Sequence, residues 1–320
     1  LRFFLLSPGY SFFYSLCVAI LTYPSAGTPF SDHHALILSV ISLYIFFLAI
    51  KTNKNIYWFI IPFFLGFSFL CKQAPTAYIV LVISFFSLIY FIFKKNFKGL
   101  FFSILGLTLF IVIFFLILHL VNIQFIDFFT QYILFPQSLG STRLDWVFPL
   151  EFQRIVMRFK IHYLSITIMT IILFNSIFLN NKKIKLESII IILSLISTCF
   201  LFIFHQLMTI NAIFIYCLIP IFSAFSHVFS IMYYEKKYFK NFLLILTLFS
   251  SIHYFVNYVH NRTFMDLKDV EMSNSLDGSK IDNRLKNIDW ITVFYPKNPQ
   301  EEINIINLAI EFLKKDPNKK

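Results

Sequence analysis

Residues 56–93 read IYWFIIPFFLGFSFLCKQAPTAYIVLVISFFSLIYFIF, and the fold turns on how often this stretch crosses an apolar layer. A bilayer's hydrocarbon core is about 30 Å thick and takes about 20 apolar residues as a helix. One unbroken helix over these residues would rise about 57 Å at ~1.5 Å per residue, nearly twice that thickness. The polar break Lys72-Gln73-Ala74-Pro75 therefore reads as a turn between two spans, 56–71 and 76–93.

Seven similar apolar stretches lie on either side: 3–22, 34–50, 99–121, 161–180, 187–204, 212–234 and 242–260. Composition agrees with them. The 320 residues are 58% hydrophobic and 13% charged, with 45 Phe and 7 Gly, whereas soluble chains are ~25% charged. A water-covered globule, a disordered chain and a collagen are all excluded. The expected fold class is an all-α polytopic membrane protein with about nine transmembrane helices and a small extracytoplasmic α/β C-terminal segment. The expected domains are 1–260, the transmembrane part with an outer loop at 122–160, and 261–320.

Charge placement sets the orientation. Residues 261–320 carry 10 basic and 10 acidic side chains, so the net +11 resides wholly in 1–260. There it clusters as Lys51 and Lys54, Lys94, Lys95 and Lys98, Lys182, Lys183 and Lys185, and Lys236, Lys237 and Lys240. Each cluster follows an even-numbered span, which places these loops in the cytoplasm by the positive-inside rule and the C-terminus outside it. A bacterial inner membrane is the expected location. Basic residues at span ends also argue against a nucleic-acid partner and for membrane lipids. Leu1 is not a start methionine, and Leu1-Arg2 opens almost directly into a span; the native N-terminus is expected upstream. The C-terminal segment is read as a strand, Ile288–Tyr295, then an amphipathic helix, 299–315. It either packs on the membrane part or continues in a longer parent chain.

The four cysteines, Cys17, Cys71, Cys199 and Cys217, show no paired spacing and read as packing residues. No acid lies mid-span, and polar residues gather toward the outer surface, a pattern for chemistry at the membrane–water boundary. Asp32, the only acid in the first 126 residues, opens the second span. It reads as a helix N-cap, or as a group that with His33 or His34 orients an acceptor or binds a divalent cation. Adjacent helical histidines point about 100° apart, which weakens the metal alternative. Lys72, at the outer end of a span, either snorkels to headgroups or meets a phosphate as a point charge. The loop 122–160 starts as an apolar helix, is expected to turn from Pro136 to Thr142, and then carries Arg143, Arg154 and Arg158. Arg154 and Arg158 share a helix face, suited either to anionic lipid or to forked binding of a phosphate. His205 opens a short polar loop ending at Asn211 and reads as a structural residue or an acceptor or metal ligand. Glycine-rich phosphate loops and H-E-x-x-H or G-x-S-x-G motifs are absent from the sequence.

The order of two segments resembles the multi-span glycosyltransferases of the GT-C class, near the protein mannosyltransferases and lipid A aminoarabinose transferases. The first is Pro29-Phe30-Ser31-Asp32 entering a span; the second is Gly66 to Gln73, ending Leu-Cys-Lys-Gln. The resemblance covers Tyr23 to about Phe93. It implies transfer of a sugar from a polyprenyl-phosphate donor to a lipid or glycan acceptor, with Lys72 near the donor phosphate and Asp32 loosely matching a later outer acid. The family's principal acid has no match in this chain and is expected upstream of Leu1. A flippase or carrier of lipid-linked oligosaccharides and a non-catalytic envelope-assembly subunit are the alternatives.

Overall fold

The computed structural model describes residues 4, 6–23, 30–144, 151–179, 184–209, 214–233, 237–260, 272–292 and 298–315. Lys182, Lys183, Lys236, Asp145 and the segment 24–29 lie outside them. The chain divides into two units, Leu1–Arg262 and Thr263–Lys320.

The first unit is a helical bundle, as long apolar runs require where backbone groups must be satisfied without water. Its main helices are α1 (Pro8–Leu21), α2 (Ser31–Thr52), α3 (Asn55–Cys71), α4 (Gln73–Lys94) and α5 (Phe97–Leu120). Three short helices follow: α6 (Phe125–Phe129), α7 (Phe135–Leu144) and α8 (Phe152–Ile155). The bundle closes with α9 (Lys160–Phe174), α10 (Leu186–Thr209), α11 (Leu218–Tyr233) and α12 (Lys237–Tyr254). Among the described residues six helices are long and apolar enough to cross a membrane: Ser31–Thr52, Gln73–Lys94, Phe97–Leu120, Phe152–Phe178, Leu186–Thr209 and Tyr238–Asn257. Pro8–Leu21, Asn55–Cys71 and Leu218–Tyr233 are apolar but shorter. The chain is an all-α polytopic membrane protein.

Several boundaries differ from the sequence reading. The eighth apolar segment becomes helical only at Leu218, which puts Pro220 in the first turn of α11, where its missing N–H costs no hydrogen bond. The expected turn from Pro136 to Thr142 is helix instead. A π-helical turn at Thr130–Leu134 leads directly into α7, so Pro136 lies inside a continuous helical run. His205 does not open a loop; it lies within α10, which runs on to Thr209.

Helices α2, α3, α4 and α10 pack against one another, and α11 is gripped by α1, α9 and α12. Helix α11 is buried almost throughout, whereas α5 is nearly all exposed. Helix α5 meets α3 at two glycines: a Cβ on Gly106 would stand 2.1 Å from the Phe59 carbonyl oxygen, and one on Gly66 2.2 Å from the Phe110 ring. This small-residue seam brings the two backbones together. A cavity of about 470 Å³ separates α5 from α4, with apolar walls that include Leu65, Phe69, Ile83 and Phe110.

Contacts identify the two ends of the bundle. At one end Asn96 Nδ2 donates to Asn53 Oδ1 at 2.8 Å, joining the α2–α3 and α4–α5 turns. Lys94 Nζ meets Glu187 Oε1 at 2.6 Å, and Lys240 Nζ sits 4.5 Å from the Tyr10 ring centre. The described Lys-bearing turns thus share one end. The α2 and α4 helices stop there on left-handed residues, Asn53 and Lys95, with φ of 55° and 51°.

The second unit holds β1 (Leu276–Asp277) and β2 (Asp289–Trp290), paired antiparallel with Leu276 opposite Trp290, and α13 (Pro299–Lys314). Of the strand expected over Ile288–Tyr295, the described residues show Asp289–Trp290 paired; residues 293–297 lie outside those described. Glu302 ties strand to helix, accepting from Trp290 Nε1 at 3.0 Å and from Thr292 Oγ1.

Candidate functional site

At the end of the bundle opposite the Lys-bearing turns, three of the residues singled out in the sequence converge. Asp32 is the second residue of α2 and is 2% exposed. It does not cap its helix: the N-cap is Phe30, without a side-chain bond. Instead its carboxylate is shared, with Oδ1 2.9 Å from His205 Nε2 and Oδ2 3.3 Å from Lys72 Nζ. The helix N-terminus still favours the negative charge there.

Local backbone explains why Lys72 reaches back. It lies between α3 and α4 with extended dihedrals of φ −159° and ψ 126°, and Ala74 just beyond it is non-helical as well. The break is braced by Ser68, whose hydroxyl donates to the Ala35 carbonyl at 2.8 Å. With its single hydrogen used, Ser68 accepts from Ser39 at 2.9 Å and from Thr76 at 2.8 Å. All four groups are buried, so α2, α3 and α4 are fixed together one turn below the ion pair. Helix α10 brings His205, itself 2% exposed. The neighbouring Gln206 Oε1 accepts from Phe214 N at 3.1 Å, which anchors the chain leading into α11.

The segment after α5 returns to this end of the bundle. Tyr132 OH donates to the Phe69 carbonyl at 2.5 Å, and Gln73 Nε2 donates to the Tyr132 carbonyl. Burial, then nearby Cys71, pushes the Tyr132 hydroxyl up to about 12, so it remains a donor at neutral pH. Arg154 donates from a guanidinium nitrogen to the Leu207 carbonyl at 3.0 Å, two residues past His205 in the last turn of α10, where a cation complements the dipole.

The other candidates stand apart. His33 is 1% exposed with its ring edge-on to Phe30 at 4.2 Å, and neither ring nitrogen has a partner among the described residues. Its ring makes no hydrogen bond to Asp32. His34 is exposed. Arg143 is half-buried at the end of α7, and Arg158 lines a separate cavity with His162 and His253. Among the described residues, no three His, Cys, Asp or Glu side chains gather as a metal-ligand set. The four cysteines are free and packed.

What the cluster offers chemically is an oriented ammonium. His205 fixes the carboxylate and the carboxylate fixes Lys72, whose side chain remains 30% exposed. Lys72 meets Asp32 as an ion pair at 3.3 Å, and its ammonium has no other partner among the described residues. Sequence reasoning named each of these residues but missed the Asp32–His205 pairing, which joins positions 173 apart. It also missed Ser68 and Tyr132 as supports. No family model, no curated protein and no solved structure matches the chain.

Proposed function

We propose that the chain is a membrane-embedded glycosyltransferase that takes a sugar from a polyprenyl-phosphate donor and passes it to a lipid or glycan acceptor at the extracytoplasmic face. The observation that carries this reading is Lys72: a partly exposed ammonium held 3.3 Å from a buried carboxylate. As the glycosidic C–O bond breaks, negative charge builds on the departing phosphate. Donors already oriented toward that charge stabilise it without reorganising. Lys72 supplies its ammonium, Asp32 positions it, and His205 positions Asp32. The Lys-bearing turns face the cytoplasm in this reading. All nine apolar helices then cross a bacterial inner membrane, and the second unit lies outside the cytoplasm.

The test uses the full-length protein in liposomes containing a polyprenyl-phosphate sugar, with release of polyprenyl phosphate as the readout. A charge-assisted hydrogen bond is worth roughly 1.5–3 kcal/mol, so Lys72→Gln lowers turnover about tenfold to a hundredfold. Lys72→Arg keeps part of it, because charge survives while the geometry changes. Equal turnover of Lys72→Gln and wild type at limiting donor removes the phosphate role. Donor that crosses the bilayer without phosphate release points to a carrier instead.

A further inference from the structure

We infer that the slot between α4 and α5 holds an acyl chain of an anionic glycerophospholipid whose headgroup rests on Lys54, Lys95 and Lys98. None of Asp32, Lys72 and His205 lines the slot, so the inference stands whether or not the glycosyltransferase reading does.

The connection between the two helices makes the slot unexpected. Only Lys95 and Asn96 separate α4 from α5, and so short a link ordinarily leaves antiparallel helices packed on each other. Here α5 rests chiefly on α3 instead, held there by the glycine seam, and a cavity of about 470 Å³ is left on the α4 side. Trp58, Leu65 and Ile83 in its lining are buried, while Leu88, Ile104 and Leu107 are exposed. The slot therefore has a closed floor and opens on the outer side of two helices long and apolar enough to cross a membrane. Among the described residues its polar side chains are three serines, Ser84, Ser87 and Ser103, and the other walls are apolar. An apolar space of this kind stays free of water, and left empty it forfeits dispersion contact along every wall. At this depth in a bilayer the filler is a lipid chain.

Depth and charge select the lipid. The lining runs from Trp58 to Phe69 on α3, from Phe91 back to Val80 on α4 and from Leu100 to Ile111 on α5. Each run begins three residues in from the Lys-bearing end of its helix. Each extends about 16 Å at ~1.5 Å per residue, close to half of a hydrocarbon core about 30 Å thick. The slot thus belongs to one leaflet, the one at the Lys-bearing end. At that end Asn96 Nδ2 donates to Asn53 Oδ1 at 2.8 Å, which gathers Lys54, Lys95 and Lys98 on two joined turns. All three lysines are exposed, and none makes an ion pair among the described residues; Glu187 is taken by Lys94. Clustered lysines at a membrane surface attract anionic headgroups, and an ammonium meets a phosphodiester as a point charge without strict geometry. A chain in the slot and a phosphodiester on the lysines are two parts of one anionic glycerophospholipid.

The test places the full-length protein in nanodiscs of equal phosphatidylglycerol and phosphatidylcholine and reads, by native mass spectrometry, the lipid that stays bound. Phosphatidylglycerol is expected to be retained in excess over phosphatidylcholine. Ile104→Trp fills the slot from an exposed position in its lining and abolishes retention. Leu81→Trp, exposed on α4 but outside the lining, leaves it intact. Lys54→Gln combined with Lys98→Gln weakens phosphatidylglycerol retention about tenfold or more, whereas Lys160→Gln on α9 leaves it unchanged. Leu107→Phe, a smaller filling at another exposed lining position, replaces Ile104→Trp if that variant does not fold. Equal retention of the two lipids, equal loss on the slot-filling and Leu81→Trp variants, or displacement of the bound lipid by added polyprenyl phosphate overturns the site.

Discussion

Removing Lys72 and removing Asp32 have unequal consequences, and the inequality tests the cluster without knowledge of any substrate. The Asp32–Lys72 separation of 3.3 Å gives a gross attraction of about 5 kcal/mol at an effective dielectric constant of about 20. Desolvation of the carboxylate offsets much of it. Exposed pairs are worth about 0.2–1 kcal/mol, and breaking a fully buried pair costs about 3–5 kcal/mol. With one partner 3% and the other 30% exposed, the pair falls between these cases, at about 2 kcal/mol. Lys72→Gln strands a buried carboxylate on His205 alone and costs about 2 kcal/mol. Asp32→Asn keeps an oxygen for His205, and the ammonium can swing into water, so it costs about 1 kcal/mol. The double variant also costs about 1 kcal/mol, which makes the coupling about 2 kcal/mol. The assay is a double-mutant cycle by unfolding of the full chain in mixed micelles. Additivity to within about 0.5 kcal/mol, or a Lys72→Gln cost no larger than that of Asp32→Asn, would refute the reasoning.

Gly106→Ala forces a methyl against the Phe59 carbonyl and is expected to destabilise by about 1–3 kcal/mol. Gly9→Ala, with nothing within 4 Å, leaves the unfolding midpoint unchanged; equal effects would dissolve the α3–α5 seam. Ser68→Ala removes the shared partner of Ala35, Ser39 and Thr76 and is expected to cost about 1–3 kcal/mol, whereas Ser68→Thr, if it retains the hydroxyl contacts, costs less. In the second unit, Asp277 and Asp282 accept from Ser279, Asn287 and Arg284, and these bonds lower both carboxyl groups, Asp282 to about 2. A lowered carboxyl stabilises the fold above its unfolded value of 3.8 and loses that contribution as pH falls through the folded value. Backbone protection at Ser279 and Arg284 should therefore be constant from pH 7 to about 5 and decline below about 4. A decline centred near pH 6 would assign it to other groups.

Much of the helical layout was legible because apolar runs and Lys clusters are local signals. The break at Lys72 was readable for the same reason: a cation, an amide and a proline interrupt 38 residues of apolar chain. Helix bounds were less legible where proline was involved: Pro136 is carried inside a helical run that a π-turn continues, whereas Pro220 sits in a first turn. The cluster was half-visible. Asp32, Lys72 and His205 each stood out as polar residues beside apolar runs, yet Asp32 looked like a cap and Lys72 like an isolated charge. Their union depends on α2 meeting α10 across the bundle, and helix adjacency leaves no trace in a periodic apolar pattern. Ser68 was hidden for a related reason: a serine inside a Phe-rich helix resembles filler until three partners surround it.

The glycine seam has a mechanical consequence. Helix α5 rests chiefly on α3, and the segment that follows it returns to the same helix through Tyr132 on Phe69. Helix α5 and the segment after it therefore share a support on α3, while the Asp32–His205 bond belongs to α2 and α10. A load placed on the exposed side of α5 is therefore expected to reach α3 and the backbone beside Lys72 before it reaches that bond, a difference that residue-resolved hydrogen exchange in bilayers of two thicknesses would measure.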